Sequence, residues 1–185
     1  MALVVGLGNP GTEYVGTRHN VGFELIDRLS EKLTITLEPG NGLFFLGEGQ
    51  FKSRKVSLMK PLTYMNRSGS AVLRAINKGG FEFSDCIVCH DDIHLETGKL
   101  RLKPGGSAAG HNGITDIIEQ LGTRDFARLR IGIGSNFPRG RQSEYVLSPF
   151  TKEEREIIED ALEVASEAIL TFLRGGSQLA MNKFN

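Results

Sequence analysis

The alternation of apolar and polar positions along the chain predicts strands that take turns with helices. Short apolar runs are typical of buried strands, and longer runs with apolar residues at helical spacing are typical of amphipathic helices. The predicted strands are Ala2–Val5, Leu43–Leu46, Lys55–Met59, Asp85–His90, Lys99–Lys103 and Arg128–Ile133. The predicted helices are Asn20–Lys32, with Asn20 able to cap it, Ser68–Asn77, His111–Leu121 and Lys152–Leu173.

This order of elements favours an α/β layered fold with a mixed, largely parallel sheet. At 185 residues the chain is long enough for one domain, 1–185, with a well-packed core. The pattern weakens over 174–185, a C-terminal tail whose order the sequence does not define.

Composition is ordinary for a soluble globular protein, with 39% apolar and 24% charged residues. No apolar run reaches the length of about 18 residues that a membrane span needs, and the first residues lack the pattern of a secretory signal. Two cysteines, Cys86 and Cys89, argue against a disulfide framework and for a reducing compartment. We therefore expect a cytoplasmic protein with no membrane contact.

Charge is balanced overall but unevenly distributed. Between positions 99 and 141, eight basic residues stand against three acidic ones, whereas between 151 and 167 two basic residues stand against seven acidic ones. The middle of the chain can attract phosphate, although charge alone favours the simpler interpretation of solvated faces.

Three short motifs suggest cofactors, and each lacks the context that its chemistry needs. Gly6-x-Gly8-x-x-Gly11 matches a dinucleotide fingerprint, but the predicted helix begins only near Asn20, and Asp27 lies inside that helix rather than at a strand end. The haem-attachment pattern CxxCH at 86–90 falls in a strand, where residues three apart point to opposite faces. The glycine-rich stretch 105–110 is not followed by the lysine of a phosphate-binding loop.

A different set of polar residues follows the predicted strands. Asn9, Asn66, Asp91 and Asn112 come after strands or a glycine-rich loop, and His19 lies just before the first helix. If they meet at one sheet edge, the set suits ester hydrolysis by water, with histidine as base, aspartate as its partner and amides as oxyanion donors. Taken singly, each is more typical of a cap or a turn. No activated serine or cysteine and no metal-ligand spacing is evident.

Several segments together resemble the bacterial-type peptidyl-tRNA hydrolases. They occur in order between Leu3 and about Phe150: GLGNPGTEYVGTRHNVGF, KPLTYMNRSG, HDD, GGSAAGHNGI and RLRIGIG. The resemblance implies an α/β/α sandwich and a monomeric, cytoplasmic esterase that needs neither metal nor cofactor. Such an enzyme cleaves the ester between a peptide and the terminal ribose of tRNA, and so recycles tRNA from prematurely released chains.

The resemblance also implies roles for individual residues. His19 would activate water, Asp91 would orient His19, and Asn9 would contact the scissile carbonyl or its oxyanion. The peptide would be held by Tyr14, Tyr64, Met65, Asn66, Gly110 and Asn112. The tRNA phosphates would contact Arg101, Lys103 and Arg130, which lie inside the basic segment.

Two positions depart from the family pattern: His94 replaces a usual acid, and Ala109 stands where glycine is common. Neither change removes a proposed catalytic group. The alternative is a non-catalytic relative that uses the same scaffold to bind RNA, because a fold does not by itself determine a function.

Overall fold

The computed structural model describes residues 1–185, which form seven strands and five α-helices. The strands are β1 (Ala2–Gly6), β2 (Glu38–Gly40), β3 (Phe44–Phe51), β4 (Arg54–Pro61), β5 (Cys86–Asp92), β6 (Leu100–Lys103) and β7 (Ala127–Gly132). The helices are α1 (Val21–Leu33), α2 (Ser68–Gly79), α3 (Asn112–Leu121), α4 (Gln142–Val146) and α5 (Lys152–Phe184). None of these helices has the length and apolar character needed to cross a membrane.

All seven strands belong to one sheet with the order β2-β3-β4-β1-β5-β7-β6. The four central strands, β4, β1, β5 and β7, run parallel, while β2, β3 and β6 pair antiparallel with their neighbours. The predicted mixed α/β fold is thereby confirmed. Because the central strands are parallel, their carboxyl ends meet at one edge, where ligands bind in open α/β sheets.

The helices cover both faces of the sheet. Along β1, Ala2 and Val4 enter the core shared with α1 and α5, whereas Leu3 and Val5 enter the core shared with α2 and α3. Successive side chains of a strand point to opposite faces, so a strand covered on both sides is apolar throughout. This arrangement is the α/β/α sandwich that the resemblance implies.

The two cysteines confirm the strand geometry expected for the CxxCH segment. Cys86 packs in the core under α2 and α3, and Cys89 packs in the core under α1 and α5. Burial raises the pKa of the Cys86 thiol to about 12 and that of Cys89 further still. Both thiols therefore stay protonated and unreactive near neutral pH.

Some elements differ from the prediction. Asn20 precedes α1, but its side chain does not cap the helix. The final helix runs on to Phe184 across a break at Gly175 and Gly176, so the segment 174–185 is mostly helical. At its end, the Asn185 side chain exchanges two hydrogen bonds with the main chain of Leu102 in β6, 2.8 and 3.0 Å long.

Candidate active site at the carboxyl edge of the sheet

Gly6 and Gly22 allow the start of α1 to approach the ends of β1 and β5 closely. A Cβ on Gly6 would lie 2.1 Å from the carbonyl oxygen of Gly22, and a Cβ on Gly22 would lie 2.6 Å from that of Cys89. Any larger residue would push the start of α1 away from the ends of β1 and β5. The glycines thus bring the segment before α1 against the sheet edge, and they do not open a dinucleotide-binding helix.

Asn20 joins the loop after β1 to the segment before α1. Its Oδ1 accepts from the Asn9 main-chain N–H at 2.9 Å, and its Nδ2 donates to the Asn9 carbonyl at 3.0 Å. These bonds take the side chain away from the capping position that its place in the sequence predicts. The Asn9 side chain accepts in turn from the Met65 N–H at 2.7 Å, which orients its amide with Nδ2 left to donate elsewhere.

His19 and Asp91 form a buried hydrogen-bonded pair. His19 lies in a 3₁₀ turn before α1, Asp91 lies near the end of β5, and they are 8% and 2% exposed. Nδ1 of His19 is 2.9 Å from each oxygen of Asp91. The N–H on Nδ1 therefore donates to the carboxylate, and the lone pair lies on Nε2.

The pair shifts both pKa values. Burial lowers the pKa of His19, but the negative charge of Asp91 and the hydrogen bond to it outweigh burial and raise the pKa above the ordinary 6.5. Burial raises the pKa of Asp91, but His19 and then His111 hold it well below its usual range. The Asp91 carboxylate is consequently charged throughout the neutral range.

His111 is a member of the site that the sequence analysis missed. Its Nε2 lies 2.9 Å from Asp91 Oδ1, and its Nδ1 accepts from the N–H of Ile114 at 3.2 Å as the N-cap of α3. The available signal was its position between the glycine-rich loop and the apolar pattern of α3. By itself, that position indicates a helix cap as readily as a member of an active site.

Arg18 is a second residue that the sequence analysis missed. It is buried beside His19, and its guanidinium donates to the Ser148 side chain at 2.6 Å and to the Pro149 carbonyl at 2.7 Å. It also pairs with Glu154 at 2.5 Å and lies over the ring of Tyr145 at 4.2 Å. Arg18 therefore holds the His19 turn against the segment between α4 and α5.

A cleft opens beside the His19–Asp91 pair. It is lined by His19, Asp91, Asp92, Ile93, His94, the segment Ala108–Asn112, Gln142, Ser143 and Val146. Of the predicted peptide contacts, Gly110 and Asn112 belong to this lining, and Ala109 adopts a left-handed φ of 49° there. The ring of His94 is 3.1 Å from the Ala109 carbonyl oxygen, so the two family departures contact each other.

The other predicted peptide contacts lie beyond this lining. Met65 is buried, and a Cβ on Gly113 would lie 2.6 Å from its sulfur, so Met65 packs against the start of α3. Asn66 is exposed on the same 3₁₀ turn. Tyr14 is half-buried and meets Tyr64, 57% exposed, edge to face with 6.5 Å between ring centres.

The predicted phosphate contacts lie on the antiparallel pair β6–β7, here called the basic ribbon (Arg101, Lys103 and Arg130). Arg101 pairs directly with Arg130, so their side chains share a face with Lys103. Arg101 and Lys103 are exposed, whereas Arg130 donates from Nε to Asp92 at 2.5 Å. Arg128, opposite Lys103, is buried and donates to the carbonyls of Gly106 and Ser107.

Three donor groups of the site are close enough to be considered for a metal. The ligand atoms of His19, Asp91 and His111 lie within 4.8 Å of one another. However, the imidazole nitrogens that face Asp91 carry protons that they donate to it, so their lone pairs do not point there. Metal independence stays a prediction that a chelator tests.

Comparison with known proteins identifies the family. The family model described as peptidyl-tRNA hydrolase matches residues 3–185. A peptidyl-tRNA hydrolase of Salinibacter ruber is 49% identical over 183 residues, which are 99% of this chain and 97% of that protein. The chain belongs to the peptidyl-tRNA hydrolase family. A peptidyl-tRNA hydrolase of Caldanaerobacter subterraneus is 46% identical, with both proteins covered in full.

Solved structures agree with this assignment. A peptidyl-tRNA hydrolase from Acinetobacter baumannii superposes with a TM-score of 0.95 and 36% identity, over 100% of this chain and 94% of that one. A uridine phosphorylase from Vibrio fischeri, at 10% identity and a TM-score of 0.53, shares the fold alone. The family, fold and enzyme class expected from the sequence are confirmed, while the roles of individual site residues remain predictions.

Proposed function

We propose that the chain hydrolyses the ester between a peptide and the 3′-terminal ribose of tRNA, using water activated by His19. The observation that carries this proposal is the His19–Asp91 pair: Nδ1 is bound to a buried carboxylate, and the ring lines a cleft. An imidazole held in this way presents Nε2 as the base.

The residues of the site account for each proton transfer in the hydrolysis. Nε2 of His19 takes a proton from water while the water oxygen bonds to the ester carbonyl carbon. Asp91 stabilises the resulting imidazolium, and Nδ2 of Asn9 donates to the oxyanion, because its Oδ1 is already engaged by Met65. The intermediate then expels the ribose oxygen, which takes the proton back from His19, and the peptide leaves as a carboxylic acid.

Recognition of the peptide rests on groups that do not read its side chains. The exposed amides of Asn66 and Asn112 can pair with a peptide backbone and help to place the water. Met65 and Gly110 lie beside them, and the edge-to-face pair of Tyr14 and Tyr64 offers an apolar wall. Contacts with the backbone alone suit a substrate whose peptide sequence varies.

Recognition of tRNA rests on the basic ribbon. Arg101 and Lys103 expose their charges, and Arg130 lies directly opposite Arg101 on the same face. Phosphate contacts are independent of base sequence, which suits an enzyme that accepts many tRNAs. We also propose that the chain acts as a monomer in the cytoplasm, where its two free, buried thiols stay reduced.

The decisive experiment compares an N-acetyl-aminoacyl-tRNA with the matching free-amine aminoacyl-tRNA, with EDTA present. We expect wild type to cleave the acylated substrate alone. His19→Ala should lose about 10²- to 10⁴-fold in rate while it still binds tRNA. Binding of tRNA without cleavage by wild type would overturn the proposal and favour the non-catalytic RNA-binding relative.

A further inference from the structure

We propose that His111 is a positioning residue for the reaction: its Nε2–H competes with His19 for Asp91 and so keeps His19 able to accept a proton near neutral pH. This inference rests on the proposed function, and it assigns a separate task to each nitrogen of one imidazole. His111 acts through Asp91 and His19, and no contact of its own with substrate is required.

The hydrogen bonds determine which nitrogen of His111 carries the proton. Nδ1 accepts from the main-chain N–H of Ile114, so its lone pair is engaged in that bond and Nδ1 carries no hydrogen. Nε2 is therefore the protonated nitrogen of the neutral ring, and it lies 2.9 Å from Asp91 Oδ1. His111 is a neutral donor whose direction is determined by the first turn of α3.

Asp91 is thus shared by two imidazoles. Oδ1 accepts from both His19 and His111, and Oδ2 faces His19 alone. The ring centres of the two histidines are 5.2 Å apart. A carboxylate that already accepts one strong hydrogen bond attracts a second proton less, so the donor on His111 weakens the hold of Asp91 on protonated His19.

The remaining charged and titratable groups around the pair are engaged elsewhere. Asp92 binds Arg130 and the N–H of His94, whose own ring is exposed at the mouth of the cleft. Arg18, next to His19, is neutralised by Glu154. The competition for Asp91 therefore remains between His19 and His111.

His90 contacts both the main chain of Asp91 and the ring of His111. Its Nδ1 lies 2.7 Å from the Asp91 carbonyl oxygen, and its ring meets that of His111 edge to face at 4.6 Å. Burial lowers the pKa of His90 to about 3, so this ring is neutral. A neutral neighbour packed edge-on limits the rotation of His111 away from Asp91.

The His111 donor affects how activity depends on pH. Water activation needs neutral His19, so kcat/KM rises with pH through the pKa of His19, which Asp91 raises above 6.5. Loss of the His111 donor strengthens the attraction between Asp91 and protonated His19. The acid limb of the profile must then move to higher pH.

Two substitutions test the roles of Nδ1 and Nε2 of His111 separately. His111→Asn keeps an acceptor near the position of Nδ1, which caps α3, but does not reach Asp91. His111→Gln places an amide N–H near the position of Nε2 and keeps the donor. We expect the Asn variant to lose about three- to tenfold in kcat/KM below the wild-type midpoint and to recover near the wild-type plateau at higher pH. The Gln variant should keep the wild-type midpoint.

An equal loss at every pH in both variants, with an unchanged midpoint, would overturn the proposal and leave His111 a purely structural cap. If the Asn variant fails to fold, His111→Ser, which keeps a capping oxygen, takes its place. NMR titration of the His19 ring supplies a readout that does not need turnover. A higher His19 midpoint in the Asn variant supports the inference even if wild type fails to hydrolyse the substrate, and an unchanged midpoint contradicts it.

Discussion

Two parts of the sheet, strand β5 and the basic ribbon, carry their charges in opposite ways. On β5, Asp91 is 2% exposed, and its side chain accepts from two imidazoles. On the basic ribbon next to it, Arg101 and Lys103 project into solvent without a carboxylate partner. One region holds a single charge in a fixed geometry away from water, and the other presents several charges that water and salt surround.

Buried and exposed charges suit different tasks. In a buried site, charges interact strongly and the hydrogen-bond donors around them keep fixed directions. A single charged group can therefore determine the protonation of its neighbour. On an exposed ribbon each charge is screened, and affinity grows with the number of phosphates contacted. The ion pair of Asp92 with Arg130 joins the two regions and places phosphate binding next to the chemistry.

Removal of the buried charge on Asp91 should lower activity more than removal of any exposed charge. Asp91→Asn should lower kcat/KM by about 10²- to 10⁴-fold, because an amide neither stabilises the imidazolium nor holds the Nδ1–H tautomer. Steady-state kinetics with the N-acetyl-aminoacyl-tRNA measure this loss. The matched control is Asp27→Asn. Asp27 is 55% exposed and forms a surface ion pair with Lys60, so its loss should leave activity unchanged. Equal effects of the two substitutions would abolish the distinction between buried and exposed charge.

An intermediate effect is expected from the ribbon. Arg101→Gln combined with Lys103→Gln should weaken tRNA binding and raise KM with little change in kcat. The slope of log affinity against log salt should fall in magnitude by about 0.7 to 0.9 for each phosphate that the variant no longer binds. Lys52→Gln, an exposed lysine in the turn between β3 and β4 at the opposite edge, is the control. A salt slope that stays at the wild-type value would show that the ribbon does not bind phosphate.

The smallest effect tests how the ribbon is held. Asn185→Ala removes the two hydrogen bonds to Leu102 and should lower the free energy of unfolding by about 1 kcal/mol. The expected change in kcat is nil, because the buried pair does not contact this end of β6. Chemical denaturation measures the stability of this variant against that of the control Asn182→Ala. The control loses only an exposed hydrogen bond to Gln178 within the same helix. Equal stability of the two variants would contradict the restraint of β6 by the C-terminal residue.

Much of the fold was predictable because it depends on local patterns. The apolar run of β1 indicates a strand covered on both faces, and the alternation over Lys99–Lys103 indicates a strand covered on one, as Leu102 and the exposed Arg101 show. The short elements β2 and α4 were not predicted, since three to five residues carry too little periodicity. The end of α5 is not defined by the sequence because Gly175 and Gly176 interrupt its pattern.

The candidate site was predictable only in part, for a physical reason. The sequence indicated that His19 and Asp91 could meet, because the ends of parallel strands and the segments near them lie at one edge of the sheet, and the structure pairs the two side chains. The catalytic roles of His19, Asp91 and Asn9 come from the family resemblance and stay predictions. The assignment of Asn20 as a cap was wrong, since its side chain reaches across to the main chain of Asn9 instead. His111 and Arg18 were missed because their partners Asp91 and Glu154 lie 20 and 136 positions away, respectively.

The residue pattern alone specifies the alternation of strands and helices, the two-sided burial of the central strands, and the kinds of polar group available at their ends. These follow from hydrophobic periodicity and side-chain chemistry, which are properties of short segments. Which of these groups bind one another depends on the packed fold: Asp91 accepts from both His19 and His111, and Asn20 binds Asn9. Hydrogen bonds of this kind depend on distances of about 3 Å between segments remote in sequence, and only the packed sheet sets those distances.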